Sequence, residues 1–242
     1  MSDTGNHLVD GLPRSDRRRL LASCEPVELE LSDVLYHVDL PTRFALFPLD
    51  GFVSLITPAN DHAGLEVGMV GREGMIGMEL VLGVRTAPLH AVVQGAGTAW
   101  RVGHAAFGQE LARSTALRRV LQHYVHVTLR QLATASSCRR FHAIGPRLAR
   151  WLLMSQDRAQ ADRFHVTHEL MALMLGVRRV GVTVAAGGLQ ADGLIRYHRG
   201  ELTVLDRAGL EARACACYVS DLRAYRAHMG SCGAAGGTAL RR

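Results

Sequence analysis

The sequence predicts an α+β fold that consists of an N-terminal antiparallel β-roll, one long helix and a C-terminal helix–turn–helix with a two-stranded hairpin. Three observations predict this order. Turn residues interrupt the aliphatic runs of residues 27–107 at intervals of about 8–12 positions, which is typical of short antiparallel strands. Apolar residues then recur every three or four positions, as on one face of a helix. Finally, two helical segments that meet at Gly176 precede two short strands.

Charge is distributed unevenly along the 242 residues. Residues 1–138 contain 12 arginines and 14 acidic residues, a net charge of −2, whereas residues 139–242 contain 16 arginines and 8 acidic residues, a net charge of +8. The C-terminal part is therefore suited to a polyanionic partner. All 28 basic residues are arginine, which permits recognition of phosphates and guanine, although a GC-rich genome explains this bias more simply.

Composition also excludes several classes of protein. Hydrophobic residues make up 48% and charged residues 21%, which excludes a mainly disordered chain. Aromatic residues make up only 5%, which argues against a single-strand stacking platform. No run of 18 apolar residues and no apolar signal core are present, so we expect a cytoplasmic protein without a membrane segment. Reduced thiols are expected at all five cysteines: Cys24, Cys138, Cys215, Cys217 and Cys232.

The elements are expected in the following order. A polar arm over residues 1–24 precedes the β-roll over residues 25–108, and a long amphipathic helix of roughly 28 residues follows over residues 109–137. A helix of this length either crosses a domain or pairs with a second copy of itself. We expect it to form the interface of a homodimer through an apolar seam. The seam consists of Leu117, Leu121, Tyr124, Thr128 and Leu132.

The C-terminal region, residues 138–217, has the pattern of a winged helix-turn-helix. A helix over about residues 140–155 and a polar loop over 157–165 lead to a helix that Thr167 caps. The buried face of that helix is expected at Leu170, Leu173 and Met174. After the turn at Gly176, a second helix over about residues 178–190 buries residues 177, 182 and 189, and two strands flank Arg199-Gly200. A frayed tail is expected over residues 218–242.

Residues 167–206 closely resemble the helix-turn-helix of the Crp/Fnr family of bacterial transcription regulators, and residues 70–102 resemble the cyclic-nucleotide-binding-like β-roll of that family. The resemblance implies a homodimer, a long helix as its interface and a sensor roll that alters DNA affinity. It also implies double-stranded DNA and RNA polymerase as partners. No cofactor is expected, and an unidentified small-molecule effector is left open.

The helix-turn-helix provides the candidate DNA-binding residues. Arginine at the start of the second helix can bond bidentately to guanine in the major groove, and the hairpin tip can contact a flanking phosphate. A pair of helices with solvated arginines would show the same local pattern. Relative to the family, Val180 and Val184 replace a glutamate and an arginine, so a different DNA sequence is expected. The candidates are Thr167, His168, Arg178, Arg179, Thr183, His198 and Arg199.

An effector pocket is expected where the family binds cyclic AMP. Its candidate residues are Gly74, Met75, Gly77, Arg85 and Thr86. Met75 takes the place of the family's glutamate, which holds the ribose hydroxyl. Because a thioether is a weak acceptor, the substitution costs on the order of 1.5–3 kcal/mol. Cyclic AMP is therefore not expected to bind.

Metal, iron–sulfur and catalytic sites are not expected. His123 and His126 could face one ion from adjacent helical turns, and Cys215 and Cys217 could form half a metal site, but no further ligands stand at suitable spacing. Cys24 alone cannot hold the N-terminal cluster of the oxygen-sensing family members. Enzyme motifs are lacking, so a non-enzymatic regulator is expected. The alternative is a ligand-binding or protein-interaction module in which DNA binding is secondary. Effector, operator and direction of regulation are left open.

Overall fold

The computed structural model describes residues 4–59 and 62–230 and confirms the predicted α+β class. Helices and strands alternate in groups along the chain. The N-terminal half contains α1 (His7–Asp10), α2 (Arg14–Ala22), β1 (Glu25–Leu29), β2 (Val34–Tyr36), β3 (Phe44–Pro48), β4 (Phe52–Ala59), β5 (His62–Val70), a 3₁₀ turn (Met78–Leu82), β6 (His90–Gly95) and β7 (Gly97–Gly103). The C-terminal half contains α3 (His104–Arg113), α4 (Thr115–Phe141), α5 (Ile144–Ala159), β8 (Arg163–His165), α6 (His168–Leu175), α7 (Arg179–Ala191), β9 (Ile195–His198), β10 (Glu201–Val204), α8 (Arg207–Arg213) and α9 (Cys217–Met229).

Two antiparallel sheets form the β-roll. One sheet has the strand order β1-β7-β3 and the other has the order β2-β6-β4-β5. Residues from both sheets fill the space between them, among them Leu46, Val53 and Val93, each at most 1% exposed. Strands that alternate inward-facing aliphatic residues with outward-facing ones can bury one face in this way.

The N-terminal segment is structured, which corrects the expectation of a polar arm over residues 1–24. Leu8 and Leu20, from α1 and α2, are each 1% exposed and pack against Phe47 and Phe107. Asn6 is fully buried, and its Nδ2 donates to the carbonyl of Gly74 at 2.9 Å. Apolar residues at helical spacing in a short, arginine-rich stretch are easily mistaken for a solvated arm.

The long helix differs from the expected one in its limits. A break at Ser114 separates α3 from α4, because the Ser114 hydroxyl accepts from the N–H of Leu117 at 3.0 Å and so caps a new helix. No break occurs at residues 136–138. Instead α4 continues to Phe141, and α5 begins at Ile144.

The apolar seam of the long helix is buried within the chain, which corrects the expectation that it faces a second copy. Leu117, Leu121, Tyr124 and Thr128 are at most 4% exposed, and the first three belong to the core that α4 shares with the roll and the N-terminal helices. Leu132 is half-buried and approaches Gly68 of β5. An apolar face in the sequence of a helix predicts that the face is buried, but it does not identify the element that packs against it.

The C-terminal segment does not fray at residue 218, which corrects the expectation of a tail. The helix α9 packs along α4, and Asp221 forms an ion pair of 2.7 Å with Arg150 of α5. Met229 is 6% exposed in the core beneath α4. The part of the expected tail beyond Gly230, including Cys232, lies outside the described residues.

The helix-turn-helix region packs directly on the roll. A continuous core joins Phe52 and Met69 of the roll to Leu152 of α5 and to Met171 of α6. Across the same contact, Trp151 Nε1 donates to Glu66 Oε1 at 2.9 Å. No single helix within residues 4–59 and 62–230 is long and apolar enough to cross a membrane; the bent pair α6–α7 meets that test together, by length and composition only.

Candidate nucleic-acid interface

The two helices α6 and α7 form a helix–turn–helix. The Thr167 hydroxyl accepts from the N–H of Leu170 at 3.1 Å, which confirms the predicted cap of α6. Gly176 then adopts φ +63°, and a Cβ at this position would lie 2.5 Å from Leu65 Cδ1 of the roll. The positive φ favours glycine here, and an added Cβ would also require the Leu65 side chain to shift. The helices on either side meet at 108°, an angle typical of a helix-turn-helix.

The buried face of α6 is rotated relative to the expected one. Met171, Ala172, Met174 and Leu175 are buried. Of the three expected positions Met174 is buried, whereas Leu170 and Leu173 are half-buried and pack against the same core, as does Val177 in the turn. The buried side of α7 follows the expectation, with Val182 and Leu189 at 0% and 2% exposure.

The opposite face of α7 points to solvent. Arg178, which directly precedes the helix, and Arg179 at its first position are exposed. Val180 and Val184 are 73% and 71% exposed, and Thr183 lies between them. The two valines are one helical turn apart on the solvent-facing side of α7. The valines can contact a thymine methyl but cannot bond to a base edge.

Several candidate side chains already have partners within the domain. Arg179 Nη1 lies 3.0 Å from Glu169 Oε1, and both side chains are at least 60% exposed, so the pair is weak and can be replaced. The His168 ring stacks on Tyr197 of β9 with centroids 4.4 Å apart. Its Nδ1 lies 3.1 Å from Thr183 Oγ1. His168 thus connects both helices with the hairpin, and the Thr183 hydroxyl also donates to the carbonyl oxygen of Arg179 at 3.2 Å.

A tight hairpin forms the wing. Arg199 and Gly200 occupy the two turn positions with φ of +49° and +85°, as a type I′ turn requires. His198 and Arg199 project into solvent at its tip. The sequence reading missed a third strand, β8, which pairs with β10 in place of the expected polar loop. A run of three residues is too short for its alternation to give a strand signal.

The base of the wing carries a small ionic cluster. Arg163 Nε of β8 lies 2.9 Å from Glu201 Oε2, and His165 Nδ1 lies 3.1 Å from Glu201 Oε1. Bonds from Arg163 and then His165 lower the pKa of the Glu201 carboxyl below its ordinary value. The carboxylate offsets part of the positive charge beside the wing.

The expected effector pocket comes together only in part. Met75 and Gly77 line a cavity of about 20 Å³, which holds little more than one water molecule. Gly74 instead packs on Tyr124, whose Oη would lie 2.1 Å from an added Cβ. Arg85 and Thr86 are exposed and do not line the cavity. These three positions therefore do not share one pocket with Met75.

Glu79 in the wall of this cavity was not among the sequence candidates. Its side chain is 7% exposed and accepts a hydrogen bond from Thr42 Oγ1. Burial raises the pKa of this carboxyl. A single glutamate within the apolar run of residues 74–82 carries no sequence signal for such a position.

Potential metal ligands meet at one place in the described residues. Cys138, His142, Cys215 and Cys217 bring four ligand atoms within 4.8 Å of one another. The expectation that Cys215 and Cys217 have no second ligand pair is therefore wrong. The other candidate pair packs on α9: the rings of His126 and His228 lie 4.7 Å apart, and His123 Nδ1 lies 3.2 Å from the His228 carbonyl oxygen.

Comparisons with known proteins agree with this geometry. A family model of the Crp-like helix-turn-helix domain matches residues 146–213. A search of curated proteins found no match. Among solved structures, FixK2 from Bradyrhizobium japonicum is 16% identical with a TM-score of 0.68, covering 80% of this chain and 98% of its own.

Two further structures share the fold. A CRP/FNR-family transcriptional regulator from Thermus thermophilus is 22% identical with a TM-score of 0.64 and covers 78% of this chain and 98% of its own. The c-di-GMP responsive global regulator CLP from Xanthomonas campestris is 17% identical with the same TM-score and covers 79% and 99%. The chain therefore has the complete arrangement of roll, long helix and winged domain.

Proposed function

We propose that this chain, whose residues 146–213 match the Crp-like helix-turn-helix domain, is a DNA-binding transcription regulator of the Crp/Fnr type. In this proposal it binds a pseudo-palindromic operator as a homodimer and reads the operator with α7. The observation that carries the proposal is the solvent-facing side of α7, where an arginine-rich start is followed by exposed valines. The N-terminal end of such a helix is the part that enters the major groove. The alternative of a protein-interaction module is not favoured, because the matched domain is a DNA-binding one.

The candidate side chains other than Thr183 take distinct roles in this proposal. Arg178 and Arg179 read base edges, and Arg179 exchanges its exposed partner Glu169 for a guanine. His198 and Arg199 contact a flanking phosphate. Thr167 and His168 act as positioning residues, because one caps α6 and the other connects α6, α7 and the wing.

The dimer interface is proposed on the face of α4 that the rest of the chain leaves uncovered. Crp/Fnr regulators act as dimers, and a 27-residue helix offers enough length for such an interface. Leu129 is 59% exposed on this face, and Gln122, Ala133 and Ser136 lie on the same side at helical spacing. An exposed leucine at the centre of a helix face is suited to pack against its own copy.

The remaining elements of the function follow from this assignment. A regulator that binds DNA and recruits or blocks RNA polymerase acts in the cytoplasm, and no catalytic step is needed. If an effector binds the roll, the cavity beside Met75 and Glu79 has to open, because its volume of about 20 Å³ does not accommodate a nucleotide.

Selection from random duplexes tests the proposal. The 242-residue chain should enrich an inverted repeat whose half-site centres lie about 10 base pairs, or one helical turn, apart. Two chains should bind each selected duplex, and the affinity should fall steeply with salt. Enrichment of no sequence, or saturation at one chain per duplex, would refute the proposed mode of binding.

A further inference from the structure

Three cysteines and one histidine converge where the long helix ends. Cys138 lies in the last turn of α4, and His142 directly follows this helix. Cys215 lies in the segment between α8 and α9, and Cys217 begins α9. Cys138 Sγ lies 3.4 Å from Cys215 Sγ, and Cys217 Sγ lies 3.6 Å from His142 Nδ1. The three thiols are buried and pack against one another.

The two distances match those between neighbouring ligands of a single tetrahedral ion, and all four ligand atoms lie within 4.8 Å of one another. Zn²⁺ binds cysteine sulfur at about 2.3 Å and histidine nitrogen at about 2.0–2.1 Å, which places neighbouring ligand atoms of a tetrahedron roughly 3.4–3.8 Å apart. An iron–sulfur cluster inserts several iron and sulfide atoms between its thiolates and therefore needs a wider spacing. Three soft thiolates and one imidazole, all buried or half-buried, form a donor set that favours zinc over magnesium or calcium.

We propose that Cys138, His142, Cys215 and Cys217 bind one Zn²⁺ in a tetrahedral Cys₃His site. Binding breaks three S–H bonds and releases the three protons to solvent, while the neutral His142 imidazole donates the lone pair of Nδ1. Three thiolates and Zn²⁺ carry a net charge of −1. Arg139, Arg147 and Arg150 line the adjoining cavity together with Cys138, so the negative charge would lie beside positive side chains. All four positions are taken by protein, so the site is structural and not catalytic.

The position of the site indicates its effect on the fold. Cys138 and Cys215 are 77 residues apart in sequence. The matched helix-turn-helix domain, residues 146–213, lies between them in the chain. A zinc ion at this point connects the end of α4 to the last segments of the DNA-binding domain. It therefore restrains the joint at residues 142–143, between α4 and α5. Zinc binding itself does not depend on the proposed function.

Metal analysis of the 242-residue chain tests the site. Apoprotein is reconstituted with Zn²⁺ under oxygen-free, reducing conditions and then freed of loose metal by gel filtration. We expect one zinc per chain, and X-ray absorption should show three Zn–S contacts of about 2.3 Å and one Zn–N contact of about 2.0–2.1 Å. Less than about one-fifth of a zinc per chain, an oxygen-rich shell, an iron–sulfur chromophore in protein from iron-supplied cells or a Cys138–Cys215 disulfide in freshly isolated protein would overturn the proposal.

Ligand variants make the test specific. Cys138→Ser and Cys215→Ser should each weaken zinc binding more than about 100-fold, since loss of a group outside the ligand set already costs 10–100-fold. Cys24→Ser is the matched control, because Cys24 packs beside α2 and should leave one zinc per chain. His142→Cys should retain the zinc and change its shell from three sulfurs to four, a gain that only a folded site can produce. Unchanged zinc in both serine variants, or an unchanged shell in His142→Cys, would contradict the assignment.

Discussion

Glu66 connects the roll to the DNA-binding domain through a buried carboxyl group, and its replacement by glutamine should change how stability depends on pH. The side chain is 6% exposed and accepts hydrogen bonds from Trp151 Nε1, at 2.9 Å, and from Ser54 Oγ. Burial raises the pKa of Glu66 to about 7, although the bonds from Ser54 and Trp151 and the charges of Arg158 and Arg139 oppose this rise.

The sign and size of the effect follow from the two pKa values. An unfolded glutamate has its ordinary pKa of 4.5, so the folded chain binds an extra proton between pH 4.5 and about 7. Stability from the neutral carboxyl is therefore complete below pH 4.5 and decreases as pH rises through about 7. A shift of this size corresponds to about 3 kcal/mol at pH 8. Glutamine keeps the shape but never ionises: its amide oxygen can accept from Trp151 Nε1, and its amide nitrogen can donate to Ser54 Oγ, which reverses that hydrogen bond.

Urea unfolding of Glu66→Gln and of the parent chain between pH 4.5 and 8 measures this difference. The free energy of unfolding of the variant, relative to the parent, should rise by about 3 kcal/mol across that range. The same substitution at Glu30, which is exposed, serves as the control and should give a constant difference. A Glu66→Gln difference that does not vary with pH would refute the burial argument.

Three further predictions concern the long helix, the helix turn and the roll. Leu129→Asp should yield folded monomers in sedimentation at micromolar concentration, and a dimeric variant would place the interface elsewhere. Leu121→Asp should instead lower the free energy of unfolding by several kcal/mol, because it places a charge in the core. Gly176→Ala should lower the free energy of unfolding by about 1–3 kcal/mol, because φ at this position is positive. Gly187→Ala, in a helix with open space around it, should raise the free energy of unfolding by about 0.5–1 kcal/mol. Equal effects of the two substitutions in urea unfolding would contradict the argument from φ. Calorimetry with millimolar cyclic AMP should detect no binding, since buried Met75 cannot hold a ribose hydroxyl; a micromolar dissociation constant would contradict this.

The winged domain was the most predictable part of the structure, because its signals are local. A capping threonine at residue 167, a glycine at residue 176 and the Arg199-Gly200 turn each fix the backbone within a few residues. These signals gave the order of helices and hairpin correctly. The short strand β8 was missed, because it depends on pairing with β10 and not on its own pattern.

Positions that depend on distant packing could not be predicted. The apolar seam of α4 was correctly expected to be buried, but periodicity alone does not distinguish the chain's own roll from a second copy. In the same way, Cys138 and Cys215 meet only because α9 returns along α4. The effector candidates Arg85 and Thr86 follow a family pattern, yet the chain around them places them at the surface.

The ratio of affinities for the selected operator and for random DNA tests most directly whether α7 reads sequence. Arg179→Ala should lower this ratio by about fivefold to more than a hundredfold, the value of one bidentate contact to guanine. Arg199→Ala at the wing should weaken both duplexes by a similar factor and reduce the salt slope by about one. Glu169→Gln controls for loss of the ion pair, and Arg18→Ala on α2 controls for loss of charge; both should leave the ratio unchanged. An Arg179→Ala variant that weakens both duplexes equally would show that this end of α7 does not read the operator.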